Sequence, residues 1–271
     1  MSEHFEGLGD IWEAFNYFGD AEKFVEIIRA SVEDGKIKHD LHEAAYIVYP
    51  ENNSIQLCSL IEKKNNTNEF ISMFPLLAGI PAKLNITEKY TWENGLEGEV
   101  SGKWLGGREI NFFAPFYYQQ FLNTEINKEF TVYLSGIAFS VKDDTGNKFE
   151  IDKGDMYEMQ LRKFLKDNPD KTKKDFPCIT VHMGDVSVLF PTQYYSNFEY
   201  RGPILSIEYT ELLGAKIAKA KIRILRSGYD VKAEEELCIN LYLTEHALNG
   251  YNPKEGDCIT GAMWLTGYLE G

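Results

Sequence analysis

Two short segments of the sequence concentrate aromatic side chains. One runs from Phe112 to Phe121 with six aromatic residues in ten, and the other contains Tyr194, Tyr195, Phe198 and Tyr200. An exposed tyrosine combines rigid apolar area with a hydrogen-bonding hydroxyl, a combination enriched at recognition surfaces. Successive strand residues point to opposite faces, so one tyrosine of each adjacent pair is expected to face outward. The candidate ligand- or partner-binding residues are Tyr117, Tyr118, Tyr194, Tyr195 and Trp104; packing of these side chains on a neighbouring sheet is the alternative.

Potential metal ligands cluster in one place, where His39 and His42 precede Glu43. Two histidines three residues apart can ligate one metal ion if they share a helix face. The surrounding residues are typical of a loop before a strand, and the HExxH pattern is absent. A solvated polar loop is therefore the favoured interpretation. We predict no metal site and no cofactor.

Fingerprints of the common enzyme classes are missing from the sequence. It contains no GxSxG nucleophile elbow, no P-loop and no GxGxxG dinucleotide motif. The glycine-rich stretch from Gly102 to Gly107 lacks the following helix of a phosphate loop and is predicted to be a β-turn. The four cysteines, Cys58, Cys178, Cys238 and Cys258, have no zinc-ligand spacing and are predicted to be core thiols. Enzymatic activity is left open.

The charge balance limits the partners of this protein. Among 271 residues, 28 are Lys or Arg and 42 are Asp or Glu, which gives a formal net charge of −14. Such a field repels phosphate backbones and anionic membranes, so a basic or neutral protein partner is favoured. The sequence begins without a signal peptide and has no apolar run of membrane-spanning length. These features predict a cytoplasmic protein without membrane contact.

One basic segment keeps nucleic acid as an alternative partner. If residues 213–225 form a strand, then Lys219, Lys221 and Arg223 share one face and could form a cationic groove. The same residues fit a helix almost as well, and the strand is favoured because its neighbours are strands. In an acidic protein, such a strand is expected to pair with the chain's own carboxylates.

Capping patterns and apolar spacing predict three helices. The first follows Asp10 and ends at Gly19, and the second follows Asp20 and ends at Gly35. A third begins with a capping box at Asp155 and ends before Pro169. Their apolar faces are expected to pack on a sheet.

The rest of the chain alternates apolar and polar residues between turn-forming residues, as strands do. The predicted strands are Ala44–Tyr49, Ile55–Ile61, Phe70–Leu77, Leu84–Tyr90, Glu97–Trp104, Arg108–Phe113, Thr131–Val141, Phe149–Ile151, Ile179–Met183, Val186–Phe190, Ile204–Thr210, Leu237–Leu243 and Cys258–Leu265. The segment Asp257–Leu269 is predicted to be a core strand and not a tail. The fold class is α+β and mostly β, with N-terminal helices followed by antiparallel sheets.

An internal similarity suggests that this β region contains two related units. A shift of 77 residues aligns Gly107–Phe121 with Gly184–Phe198 at five identical positions, including Phe113 with Phe190 and both tyrosine pairs. This alignment predicts an N-terminal α+β region at 1–95, a first β unit with a helix at 96–175 and a second β unit at 176–271. Units of this size are typical of small barrels similar to the OB fold. Chance similarity is the alternative.

Three functional hypotheses follow from these features. The leading one is a cytosolic binding protein that presents aromatic and acidic surface to a protein partner. The first alternative is a binding protein or enzyme for a small polar, sugar-like ligand held between the two β units, since ligand sites favour such junctions. The second alternative is single-stranded nucleic-acid binding through an OB-like barrel.

Overall fold

A computed structural model describes residues 8–15, 21–64, 67–146, 148–176, 178–183, 186–227 and 236–270. Within them the helices are α1 (Gly9–Glu13), α2 (Ala21–Glu33), α3 (Asp155–Asp167) and α4 (Glu245–Leu248). The strands are β1 (Lys36–Asp40), β2 (Ala44–Tyr49), β3 (Ile55–Lys64), β4 (Thr67–Leu77), β5 (Ile80–Thr91), β6 (Gly98–Trp104), β7 (Arg108–Phe113), β8 (Lys128–Asp143), β9 (Lys148–Ile151), β10 (Ile179–His182), β11 (Val188–Pro191), β12 (Asn197–Leu212), β13 (Ala215–Arg226), β14 (Glu236–Thr244) and β15 (Cys258–Leu269). The protein is mostly β with antiparallel sheets, which confirms the coarse fold class.

The ambiguous segment after residue 212 is a strand. Leu213 and Gly214 both have positive φ angles, 53° and 80°, and form a two-residue turn that joins β12 to β13. Turns with this backbone twist suit antiparallel strands. Along β13 the residues Ala218, Ala220 and Ile222 are buried, so the alternating pattern and not the helical one describes this segment.

Several local predictions need correction. His39 lies in strand β1 and not in a loop, because its backbone pairs with Tyr46 of β2. Helix α3 occupies the predicted segment but begins after Gly154 without a side-chain cap, so the capping box at Asp155 is wrong. Helix α1 also begins without a side-chain cap, since Asp10 lies inside it. The predicted helix end at Gly19 and the cap at Asp20 fall outside the described residues.

An antiparallel four-stranded sheet follows the N-terminal helices in the order β1-β2-β3-β4. Helix α2 packs on β2 and β3 through buried Ile27 and Ser31. The Ser31 hydroxyl lies 2.7 Å from the Ser59 hydroxyl, so this buried polar pair satisfies itself. The other face of the sheet packs on the rest of the protein through an aromatic cluster that includes Tyr46, Phe74 and Phe113.

A nine-stranded mixed sheet is organised around the long antiparallel pair of β8 and β15. On one edge, β8 pairs first with β5 and then with β14. On one edge of β15, β12 is followed by β7. These pairings give two closed cycles of hydrogen-bonded strands, in each of which the last strand pairs with the first. The first ring is β5-β6-β7-β15-β8, and the second ring is β12-β13-β14-β8-β15. Strands β8 and β15 belong to both rings.

The parallel pairing of each ring recurs at a shift of 129 residues. In the first, Phe113 of β7 lies opposite Thr266 of β15 in a parallel pair. In the second, Tyr242 of β14 lies opposite Ile137 of β8, again in a parallel pair. The same shift places the dipeptide Ile110-Asn111 of β7 on Ile239-Asn240 of β14. Strand β14 is thus the counterpart of β7 in the sheet.

The alignment at 77 residues is therefore wrong. Its first segment contains β7 and a helical turn at Tyr117–Phe121, whereas its second contains β11, a turn and the start of β12. Phe113 is 1% exposed but Phe190 is 59% exposed, so the two positions are not equivalent. The similarity came from aromatic residues near turns, which repeat a composition without repeating strand partners. Gly184, which belongs to the same alignment, lies outside the described residues.

Strand pairing crosses both predicted domain boundaries. Strand β5 lies within the predicted region 1–95 but pairs with β6 and β8. Strand β8, from the predicted first unit, pairs with β14 and β15 of the second. The division into domains stays a prediction. Within the described residues, no helix has the length and apolar character needed to cross a bilayer.

Candidate functional site

Most of the predicted site residues lie beneath the surface. Tyr117 is 1% exposed, Tyr195 is 5% exposed and Trp104 is 6% exposed, while Tyr118 and Tyr194 are half-buried. One tyrosine of each pair is more exposed than the other, but it is the second residue, Tyr118, in one pair and the first, Tyr194, in the other, so the aligned positions differ in exposure. Neither pair lies in a strand, since Tyr117–Phe121 is helical and Tyr194 and Tyr195 lie between β11 and β12. Four of the five line three separate cavities or clefts, Tyr117 lines none of these, and the five do not form one aromatic surface.

Tyr118 faces a polar cleft of about 650 Å³ beside the four-stranded sheet. Its hydroxyl donates a hydrogen bond to Glu43 at 2.8 Å, and His42 lines the same cleft. His39 lies elsewhere, in contact with Phe116 and 3.1 Å from the Gln119 amide nitrogen. The described residues contain no group of three or more His, Cys, Asp or Glu side chains that could hold a metal ion.

Tyr195 belongs to a buried polar network at the junction where the pairing of β15 with β12 ends and its pairing with β7 begins. Its hydroxyl bonds to the Ser101 hydroxyl, which donates to the Asn111 side-chain oxygen at 2.6 Å. Next to it, the Ser196 hydroxyl donates to buried Glu99 at 2.7 Å. Burial raises the pKa of Tyr195 to about 12, against the opposing effect of the Ser101 hydrogen bond. A cavity of only about 30 Å³ remains here, so the tyrosine fills this junction.

The Tyr195→Phe variant tests this network. We expect it to lose about 1 kcal/mol of stability near pH 8, because one buried hydrogen bond is removed. The raised pKa means that the unfolded state ionises first, so the contribution of the neutral hydroxyl is lost as pH rises from about 10 to about 12. Urea unfolding at pH 8 and pH 11 should therefore show a smaller loss for the variant than for the natural protein. An equal loss in both proteins would place the alkaline sensitivity in other tyrosines.

The equivalent junction in the second ring is open. Here β5 and β14 leave β8, and Asn240, the counterpart of Asn111, donates to the Ala78 carbonyl at 2.8 Å. Beyond this point the two strands separate around a cleft of about 580 Å³, within the range typical of ligand pockets. We call this the junction cleft. Its chemically active lining consists of Lys83, Asn85, Lys103, Trp104, Glu129, Lys221, Glu236 and Cys238.

Each wall of the junction cleft comes from one ring. In the first ring, β5 supplies Lys83 and Asn85. The adjacent strand β6 supplies Lys103, which lies opposite Asn85 in the register of the two strands. In the second ring, β13 supplies Lys221 and β14 supplies Cys238. The side chains alternate along each strand, so these residues point outward while their neighbours fill the ring interior. Trp104, which is buried, also lines the cleft.

The acidic groups of the junction cleft are already paired. Glu129 forms an exposed ion pair with Lys83 at 3.4 Å. Glu236 forms a mostly buried ion pair with Arg223 at 2.8 Å and lies 3.7 Å from Arg226. In contrast, neither Lys103 nor Lys221 has an ion-pair partner among the described residues, although Glu109 lies opposite Lys103 in the strand register. The cleft therefore has an excess of positive charge inside an acidic protein.

Cys238 gives the junction cleft a chemical reporter. The thiol is half-buried, and burial raises its pKa against the opposing influence of Lys221 and Arg223. Cys178 is also half-buried and lies in another part of the protein, whereas Cys58 and Cys258 are fully buried. The prediction that all four cysteines are core thiols is thus confirmed only for Cys58 and Cys258.

Sequence reasoning named Trp104 and, for a cationic groove, Lys221, but it did not bring them together with Lys83 and Lys103 in one cleft. Lys83, Lys103 and Lys221 are far apart in the chain, and no local motif connects them. The Ile-Asn dipeptide present at both junctions also occurs at Ile126-Asn127, so by itself it does not single out the two junctions. Comparison of the chain with protein-family models, curated proteins and solved structures found no match.

Proposed function

We propose that the protein is a binding protein for a small polar ligand, which it holds in the junction cleft between the two rings. The observation that carries this proposal is the contrast between the two equivalent junctions. Tyr195 fills one of them, whereas the other keeps about 580 Å³ of space lined by polar side chains from both rings. A rigid framework supports this lining, because both walls continue into the shared strand β8.

We further propose that each ring is a small OB-like barrel and that the two arose from one repeated unit. Each has five strands, one parallel contact and a helical segment in the same place: Tyr117–Phe121 follows β7, and α4 follows β14. A five-stranded Greek-key barrel has this composition. In this interpretation β15, the last strand of the second unit, closes the first barrel, and β8, the last strand of the first unit, closes the second. This exchange explains why both rings share β8 and β15.

The remaining hypotheses receive less support from the geometry. An aromatic protein-binding surface requires exposed rings, but Tyr117, Tyr195 and Trp104 are buried. A cationic nucleic-acid groove on β13 requires free basic groups, but Lys219 is paired with Glu208 at 2.7 Å and Arg223 with Glu236. Of that strand face, Lys221 alone has no ion-pair partner within the part of the chain that the structure describes, and it lines the junction cleft.

Alkylation of Cys238 tests the proposed site. A thermal-shift screen of sugars, nucleotides, dicarboxylates and phosphates should identify a stabilising ligand, since saturation at about 100 times Kd adds about 2.7 kcal/mol. That ligand is expected to slow the reaction of Cys238 with a maleimide and to leave Cys178 unaffected, which serves as the control within the same molecule. Protection of Cys178 alone, or no ligand that stabilises the protein, would contradict the proposal.

A further inference from the structure

The charges of the junction cleft define the class of ligand, provided that the proposed function is correct. Lys103 and Lys221 are exposed, and they lie on opposite walls in different rings. Among the described residues their positive charges are not neutralised, because the carboxylates that line the cleft have other basic partners: Lys83 for Glu129, and Arg223 for Glu236. A ligand bound between these walls can interact with the ammonium groups of Lys103 and Lys221 without disrupting the ion pairs of Glu129 and Glu236.

Lys221 differs from the two basic residues beside it on the same face of β13, because both of those have carboxylate partners. Lys219, two residues earlier on the same strand face, is largely buried and bonded to Glu208 at 2.7 Å. Arg223, two residues later, is buried and bonded to Glu236 at 2.8 Å. Lys221 lies between two neutralised basic groups and has no acidic partner among the described residues. In a protein of net charge −14, a cleft whose two walls each carry a lysine without an ion-pair partner among the described residues favours anions locally.

We infer that the ligand of the junction cleft carries two anionic groups, one bound by Lys103 and the other by Lys221. Phosphate-type and carboxylate-type groups both offer the oxygen acceptors that an ammonium group needs. Asn85, on the same wall as Lys103, adds a neutral hydrogen-bonding side chain. A ligand with a single anionic group would leave one of the two lysines without a partner.

Protection of Cys238 against alkylation measures this selectivity directly. The probes are inorganic pyrophosphate and succinate, each with two anionic groups, phosphate and acetate as their single-group counterparts, and glucose as a neutral ligand, all at one ionic strength. We expect pyrophosphate or succinate to protect Cys238 at concentrations about tenfold or more below those of phosphate and acetate, which corresponds to about 1.4 kcal/mol. Protection by pyrophosphate or by succinate identifies the type of anionic group.

Charge-removing variants assign the binding groups. Lys103→Gln and Lys221→Gln should each weaken protection by the two-group anion about tenfold. Lys142→Gln is the matched control, because Lys142 is an exposed strand lysine outside the cleft, and it should change nothing.

Other outcomes separate this inference from the proposed function. Protection of Cys238 by glucose or another neutral ligand, without protection by the anions, would overturn the inference and leave the proposed function standing. Equal protection by one-group and two-group anions, or binding that is insensitive to both lysine variants, would also overturn the inference. If no probe and no ligand from the wider screen protects Cys238, both proposals fail.

Discussion

Removal of residues 264–271 is expected to unfold the protein. The deletion shortens β15, which pairs with β8, β12 and β7 and completes both rings. Trp264 is 4% exposed, and loss of a buried tryptophan alone costs about 3–5 kcal/mol against a total stability of about 5–15 kcal/mol. Leu265 is fully buried and Thr266 makes the parallel contact with Phe113, so their loss adds to this cost.

Circular dichroism and urea titration of the purified chains would measure this effect. A chain that ends at Leu269 is the control, because it keeps the whole of β15. We expect the control to unfold cooperatively at nearly the natural urea concentration, and the longer deletion to be insoluble or to show no cooperative transition. A soluble, cooperatively folding deletion variant would mean that the rings are not closed by β15.

Gly261→Ala is expected to have the second largest effect. Gly261 lies in the middle of β15, opposite Val141 of β8 on one side and Tyr200 of β12 on the other. A β-carbon at this position would lie 1.9 Å from the Ser140 carbonyl oxygen, a distance that no relaxed contact allows. The clashing atom belongs to the backbone of a paired strand, so relief requires displacement of β8. We expect a loss of about 3 kcal/mol or more.

The matched control for this substitution is Gly146→Ala. Gly146 lies in the turn after β8, and a β-carbon there meets no atom within 4 Å. The unfolding free energy of the Gly146→Ala variant should stay within about 0.5 kcal/mol of that of the natural protein. Similar unfolding free energies for both variants in urea titrations would show that β8 and β15 are not packed as closely as described.

The two structural predictions also concern the junction cleft. Both walls of the cleft depend on β8, since β5 and β14 pair with successive parts of the same edge of this strand. A change that displaces β8 should therefore reduce ligand binding as well as stability. The lysine variants differ in this respect, because Lys103 and Lys221 are exposed and contribute charge without filling the core.

The amino-acid sequence by itself determined where most strands lie. Predicted strands such as Ala44–Tyr49 and Arg108–Phe113 have the observed bounds, and the C-terminal segment is a core strand as expected. These results follow from the alternation of apolar and polar residues and from turn-forming residues, which act over a few neighbouring positions. The mostly β fold class was predictable for the same reason.

Only the tertiary structure decided which strands pair, and hence where the site lies. Pairing between β8 and β15 joins residues more than a hundred positions apart, and no local pattern specifies such a partner. The aromatic alignment failed for this reason, since similar side chains occupied a helical turn in one segment and a strand start in the other. Lys103 and Lys221 likewise become neighbours of one cleft only when two rings share the edge of β8. The charge of a residue and the alternation of apolar and polar residues can be read from a short stretch of sequence. The candidate binding site forms only when strands that are distant in the sequence pair.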